Sequence, residues 1–416
     1  MEILKIYGGK TLKGSIEIGG AKNSAVALVP AAILSDKVVI NNVPNISDIE
    51  ALKKILSYLN VSFENEGDKF IIDSTNLENK PITLEHSKML RASYYFAGAL
   101  LGKYKHAEMY FPGGCVIGSR PIDLHFYGFE KLGAKVTNEG DKFIIEASEL
   151  IGSEINLKFA SVGATINILL AAVYAKGKTI IKNAAKEPEV GNVIDFLNSM
   201  GAKITGKDTS MLVIEGVSNL SGGNISVIPD RIEAGTYIIA GVMNGDNLKI
   251  KNVIPEHFKA LTDKLLLMGA DIKVYDDYVV ASKSENLKPI RIETEVYPGF
   301  PTDLQQPMTS LLTMASGKSI IVENIYENRF QNIPYLNKMG ANIEVSGRQA
   351  IINGPTEFKP GEVITTDLRA GAALILAALC APGETKIKEV KHVLRGYENI
   401  INKLTKIGVK ITLEDE

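Results

Sequence analysis

Two kinds of apolar stretch alternate along the 416-residue chain, and each recurs at nearly constant spacing. The first ends in a small residue and runs into an alternating segment: "FEKLGAKV", "LNSMGAKI", "LLLMGADI", "LNKMGANI" and "LTKIGVKI". Their glycines, Gly133, Gly201, Gly269, Gly340 and Gly408, stand 68, 68, 71 and 68 residues apart, and a weaker copy, "LSYLNVSF", places Asn60 73 residues before Gly133. Glycine and asparagine both accept the left-handed backbone of a helix C-cap, so the asparagine keeps the pattern. The segment after each cap, as in "KVTNEGDKFIIEA", alternates apolar and polar around turn residues and predicts a hairpin.

The second stretch is apolar nearly all round: "GGAKNSAVALVPAAIL", "KMLRASYYFAGALLG", "SVGATINILLAAVYAKG", "DRIEAGTYIIAGVMNG", "TDLQQPMTSLLTMASG" and "DLRAGAALILAALCAPG". These predict helices beginning near Lys22, Arg91, Ser161, Asp230, Thr302 and Asp367, and a helix without a polar face belongs inside a domain. The chain therefore reads as an α/β protein of six units of about 70 residues, each with two helices and roughly four strands. Only 50 residues run from Asp367 to the end, while 21 precede Lys22, so the amino-terminal segment is expected to complete the last unit. A three-and-three division gives one domain of residues 22–229, with a loop at about 111–121, and another of 1–21 with 230–416. The chain then passes between domains twice, which predicts a hinge over a cleft, a preferred place for a ligand.

Composition narrows the function. A net charge of -2 supplies no overall basic field for nucleic acid or membrane, so an anion site has to come from a local cluster of Lys and Arg. No apolar run approaches the roughly 20 residues of a membrane span, and the first residues do not form a secretory signal, so a cytoplasmic protein is expected. Two cysteines and five scattered histidines fit neither a disulfide framework nor a metal-ligand spacing, and no metal is expected. "GGAKNS" lacks the ending of a Walker loop and "PGGCVIGSRP" lacks the dinucleotide order, so no nucleotide-driven or NAD-dependent reaction and no cofactor is expected. Nothing in the sequence sets an oligomeric state.

Helix amino termini attract anions. At or near the six buried-helix starts stand Lys22, Asn23, Arg91, Ser161, Arg231, Asp303 and Arg369, a cationic set with one carboxylate suited to act as a base. Arg120 and Arg395 extend the set; taken singly, each of these residues also reads as a helix cap or a surface ion pair. Cys380, in "LILAALCAPG", reads as a small core residue, whereas Cys115 follows two glycines and precedes Arg120 by five positions, a setting for a reactive thiol.

The motifs "GGAKNSAVALVPAAIL", "PGGCVIGSRPIDLH", "SVGATINILLAA", "EPEV", "PDRIEAGTY", "YPGFPTDLQQPM", "ENRF", "TTDLRAGAALILAAL" and "RGYENI" together resemble the UDP-N-acetylglucosamine 1-carboxyvinyltransferase family, from about residue 5 to 412 in one register. The family is similar in fold to 5-enolpyruvylshikimate-3-phosphate synthase: two inside-out α/β barrels of three repeats each, closing over their substrates. The resemblance implies transfer of the enolpyruvyl group of phosphoenolpyruvate to the 3'-hydroxyl of UDP-N-acetylglucosamine, with these two small molecules as the partners. It implies that Lys22, Asn23, Arg120 and Arg395 bind phosphoenolpyruvate. Arg91, the run Arg120, Pro121, Ile122, Asp123 and Leu124, then Ser161, Val162, Gly163, Asp303, Ile325, Arg329 and Arg369, would line the substrate site. Asp303 would accept the hydroxyl proton and Cys115 would protonate the methylene carbon from a loop that closes as a lid. A cysteine at that place also implies sensitivity to the epoxide fosfomycin.

Four positions depart from the family's common pattern: Gln331 and Asn332 where Met-His is usual, Asn192 where an aspartate is common, and Phe159 where some members carry a lysine. The shikimate-pathway synthase is the nearest rival reading, opposed by the Cys115 loop and by the lack of a "GNAGT"-type opening. A repeat-built clamp or a UDP-sugar sensor is the alternative from another class.

Overall fold

The structure, a computed structural model, describes residues 2–112, Gly118 and 121–415. It divides into two compact units, one of Gly20–Gly114 with Arg120–Ile228, the other of Met1–Gly19 with Pro229–Glu416; Gly118 groups with the latter. Each unit has its own apolar core.

Six helices fill these cores: α1 (Lys22–Ala32), α2 (Tyr95–Tyr104), α3 (Val162–Ala172), α4 (Arg231–Asn244), α5 (Gln305–Leu312) and α6 (Leu368–Cys380). Burial follows from their composition. In α3 every residue from Ala164 to Ala172 is buried, and α6 is buried from Arg369 to Leu379. Three starts are closed by side chains that accept the first free N–H groups: Ser161 from Ala164, Asp230 from Ile232 and Glu233, Asp367 from Arg369 and Ala370. The second and fifth helices differ from the sequence expectation, because Arg91–Tyr94 and Thr302–Leu304 form 3-10 turns before the α-helical hydrogen bonding begins. Arg91 and Asp303 therefore sit on tight turns leading into α2 and α5.

Three sheets cover the helices of each unit, and they are not hydrogen-bonded to one another among the described residues, so the wall is segmented rather than a closed barrel. One sheet displays the rule. The strand Lys178–Lys182 has a parallel neighbour, Glu154–Asn156, on one side and an antiparallel one, Met211–Glu215, on the other, with Lys203–Thr205 outermost. Alternation presses one face inward: in "KTIIK" Thr179 and Ile181 are buried while Lys178 is exposed. The same order recurs, and in the one three-stranded sheet a single parallel bridge from Ile82 to Met109 stands where the edge strand would be.

The chain termini complete this pattern. Strand β1 (Glu2–Gly8) pairs antiparallel on both sides, with Gly383–Lys388 and with Lys410–Asp415, filling the position that the hairpin's return strand holds elsewhere. The amino-terminal segment thus completes the last repeat. The strand β2 (Leu12–Glu17) precedes α1 in sequence but pairs with Gly245–Lys251, which follows α4. Reciprocally, Asn224–Ser226 precedes α4 but pairs with Lys37–Asn41, which follows α1. Two edge strands have exchanged places.

Asn167 of α3 ties the first core together. Its Oδ1 accepts from the Gly98 N–H at 2.8 Å, and its Nδ2 donates to the Tyr94 carbonyl at 2.9 Å. It is 1% exposed, so removing the amide leaves both groups buried without water. Asn167→Ala is expected to lower unfolding stability by roughly 2–4 kcal/mol, read as a shift in the urea midpoint at unchanged slope.

Candidate functional site

In the unit built around α1–α3, the sequence-selected residues fall at the beginnings of those helices. Lys22 opens α1, which begins without a side-chain cap. Its Nζ lies 3.1 Å from Oδ2 of Asp48, which is 3% exposed. A nearly buried carboxylate thereby fixes the ammonium, and burial makes the pair sensitive to a competing anion. Asn23 follows at the partly exposed start of the helix. Ser24 donates to Oδ1 of Asn192, whose Nδ2 donates to the Ser226 carbonyl at 3.1 Å and whose Oδ1 also accepts from the Ile228 N–H at 3.2 Å. An aspartate could not donate to Ser226, so the asparagine at this position anchors the α1 start to the 226–228 segment.

Arg91 and Gly163 lie near a residue the sequence reasoning passed over, His125, and Ser161 and Val162 precede Gly163 at the start of α3. This histidine belongs to the helix Asp123–Lys131, which starts with Asp123 and Leu124 just after Pro121 and Ile122, and which packs on α3. Its ring meets Tyr94 edge-on at 4.8 Å. Because Asn167 must present its oxygen to Gly98, the Asn167 amide donates to Nδ1 of His125 at 2.9 Å. The imidazole is then neutral with its proton on Nε2. Burial, reinforced by the charge of Arg91, lowers its pKa to about 3. A side chain at position 163 would put Cβ 2.8 Å from the Tyr94 hydroxyl and 3.1 Å from His125 Nε2, so only glycine lets the α3 terminus approach this pair. His125 ends the quoted motif "PGGCVIGSRPIDLH"; its place there was the available signal. Phe159, at one of the departing positions, is exposed.

In the unit built around α4–α6, the ion pairs converge on Asp303. Arg329 Nη2 donates to Oδ1 at 2.7 Å and Arg369 Nη2 to Oδ2 at 3.0 Å, and both arginines are buried. Burial alone would raise the Asp303 carboxyl; the charges of Arg369 and Arg329, with the hydrogen bonds they donate, outweigh it and hold the group well below the usual carboxylate range. The arginines are themselves positioned. Arg329 donates to Thr302 Oγ1 at 2.7 Å, and Thr302 donates to Glu323, which also accepts from Thr294 and the Ile325 N–H. Arg369 stacks over Tyr397 at 5.5 Å, and the Tyr397 hydroxyl pairs with Thr236. Arg231 lies over Tyr297 instead. Arg395 is half-buried at the end of the helix Lys391–Leu394. Asn332 is fully buried and Gln331 partly so, next in sequence to Arg329 and Phe330.

Cys115 and Arg120 lie outside the described residues. Cys380 is partly buried against the second core, and burial pushes its thiol up to about 12, which makes it unreactive. Among the described residues no group of three or more His, Cys, Asp and Glu could hold a metal ion, and no helix is long and apolar enough to cross a membrane.

The sequence profile of the family described as "EPSP synthase (3-phosphoshikimate 1-carboxyvinyltransferase)" matches residues 6–404. The chain is 51% identical over 418 aligned residues to UDP-N-acetylglucosamine 1-carboxyvinyltransferase 2 of Bacillus subtilis, covering 100% of this chain and 97% of that one. It is 49% identical to UDP-N-acetylglucosamine 1-carboxyvinyltransferase of Clostridium botulinum, covering 99% of both. Among solved structures it is similar to the enolpyruvyl transferase NikO from Streptomyces tendae, with TM-score 0.90 at 26% identity over 99% of both chains. The EPSP synthase of Acinetobacter baumannii, at TM-score 0.76, 18% identity and 100% coverage of both chains, shares the fold.

His125 gives this region a pH signature. A histidine whose pKa falls from 6.5 in the unfolded chain to about 3 in the folded one contributes stability that is complete above pH 6.5 and is lost as pH falls toward 3. Between pH 7 and pH 5 the wild type should lose about 2 kcal/mol more unfolding stability than His125→Gln, measured by urea denaturation at both pH values.

Proposed function

The chain belongs to the EPSP synthase family and, within it, to the UDP-N-acetylglucosamine 1-carboxyvinyltransferases, and from that premise we propose that it transfers the enolpyruvyl group of phosphoenolpyruvate to the 3'-hydroxyl of UDP-N-acetylglucosamine, releasing phosphate. This is the first committed step of peptidoglycan synthesis. The observation that carries the reading is the 51% identity to a curated relative over the whole of this chain. Both substrates are small, soluble and phosphorylated, and we place the enzyme in the cytoplasm where they are made.

The proposed chemistry is an addition followed by an elimination. The 3'-oxygen forms a bond to C2 of phosphoenolpyruvate as its proton passes to Asp303 and the π electrons take a proton from the Cys115 thiol at C3. The Cys115 thiolate then takes a proton back from C3, the double bond reforms and the C2–O bond to phosphate breaks with both electrons going to the departing group, which takes up the proton held by Asp303. Lys22, Arg120 and Arg395 hold the phosphate and carboxylate of the donor. Asn23, Arg91, Pro121, Ile122, Asp123, Leu124, Ser161, Val162, Gly163, Ile325, Arg329 and Arg369 line the substrate site. No cofactor takes part, since every proton moved has a side chain to receive or supply it.

Asp303 is ionised in the resting protein, but its two arginines make it a weak base. A substrate anion that draws Arg329 or Arg369 away removes an opposing charge and leaves burial to raise the carboxyl, so basicity is supplied when substrate is present. The rival acceptor and the sensor reading are separated by one assay. Phosphate release from phosphoenolpyruvate should require UDP-N-acetylglucosamine and not occur with shikimate 3-phosphate. It should fall by about 10²–10⁴-fold in both Asp303→Ala and Cys115→Ser. Release with shikimate 3-phosphate, or none from folded protein with either acceptor, would contradict the reading.

A further inference from the structure

The unit containing Asp303 has a cavity of about 380 Å³ that shares no residue with the Asp303 cluster. Its floor is the outer part of β2, with Ser15 and Glu17, and the adjoining strand supplies Lys251, which stands opposite Glu17 in the parallel register. The helix Ile400–Lys406 forms the wall and contributes Asn402, Lys403 and Lys406. Three ammonium groups thus share a concave surface with one carboxylate. Lys251 and Lys406 are exposed and have no carboxylate partner among the described residues. Glu17 makes no ion pair there either, although Lys251 is its strand neighbour.

Lys403 is the exception and gives the cavity its depth. Its Nζ lies 2.6 Å from Oε1 of Glu233, which is 3% exposed, while Oε2 of Glu233 accepts from the Gly19 N–H at 3.2 Å. The Gly19 carbonyl in turn accepts from the Asp230 N–H at 3.0 Å. A buried carboxylate therefore holds the lysine at the cavity's inner side, so its charge is fixed in place before any ligand arrives. Fixed cations favour a phosphate group, which takes several charge-assisted hydrogen bonds at once. Glu17 and Asn402 suit hydroxyl groups, as an acceptor and as a donor and acceptor.

We propose that this cavity is a binding site for a phosphorylated, polyhydroxylated small molecule of the sugar-phosphate class, its phosphate held by Lys251, Lys403 and Lys406 and its hydroxyls by Glu17 and Asn402. Nothing in the proposed transfer reaction uses these residues.

Calorimetric titration of the whole chain with glucose 6-phosphate tests the assignment, with glucose as the phosphate-free control. The wild type should bind glucose 6-phosphate saturably and glucose not at all. The exposed double substitution Lys251→Ala with Lys406→Ala should weaken binding by about tenfold or more, while Lys22→Ala leaves it unchanged. The proposal is overturned by any of three results: no saturable binding by the wild type up to about 10 mM, equal binding by the double variant, or loss in Lys22→Ala alone, which would place the sugar phosphate with Lys22.

Discussion

Burial of six helices on every side is the constraint that shapes everything else in the molecule. Such a helix carries a polar side chain along its length only where the core supplies partners, as it does for Asn167, and its charged groups collect at its ends. There they meet unpaired backbone N–H groups and the positive end of the helix dipole. Ser161, Asp230 and Asp367 take the capping role, and Lys22 and Arg369 stand beside the same kind of terminus. A fold of buried helices thus makes anion-attracting ends as a by-product of making a core.

Charge at those ends is held in balance and is not neutralised at random. Asp303 is opposed by Arg329 and Arg369, which are in turn fixed by Thr302 with Glu323 and by Tyr397 with Thr236. Lys22 is held by a nearly buried Asp48. A nearby arginine lowers the pKa of His125 further than burial alone, so the imidazole stays neutral beside Gly163 and leaves the positive charge to Arg91. The Asp303 carboxyl is thereby kept ionised and the His125 imidazole neutral, each by named neighbours.

Local features were legible in the sequence. All six cap positions adopt the left-handed backbone, from 60° in φ at Asn60 to 104° at Gly340, because that steric requirement acts within one turn. The helices also begin where polar residues precede apolar runs, apart from the 3-10 turns at Arg91–Tyr94 and Thr302–Leu304, whose hydrogen bonding the apolar pattern does not encode. The return of β1 to the last sheet followed from counting residues. What escaped was long-range. The exchange of β2 with Asn224–Ser226 depends on partner choice across some 200 residues, and both strands would fit either sheet by alternation. The pairing of Lys22 with Asp48 and the tautomer of His125 likewise depend on neighbours no local pattern names. Roles for Cys115 and Arg120 rest on the resemblance, since both lie outside the described residues.

The most direct test of the account is the identity of the reaction product. Phosphoenolpyruvate labelled with ¹³C at C2 and C3 is incubated with the protein and UDP-N-acetylglucosamine, and the nucleotide sugar is examined by NMR. The account predicts an enolpyruvyl ether with both labels, joined through the 3'-oxygen of the sugar, with one equivalent of phosphate. Attachment at another oxygen, or unchanged nucleotide sugar from folded protein, would contradict it.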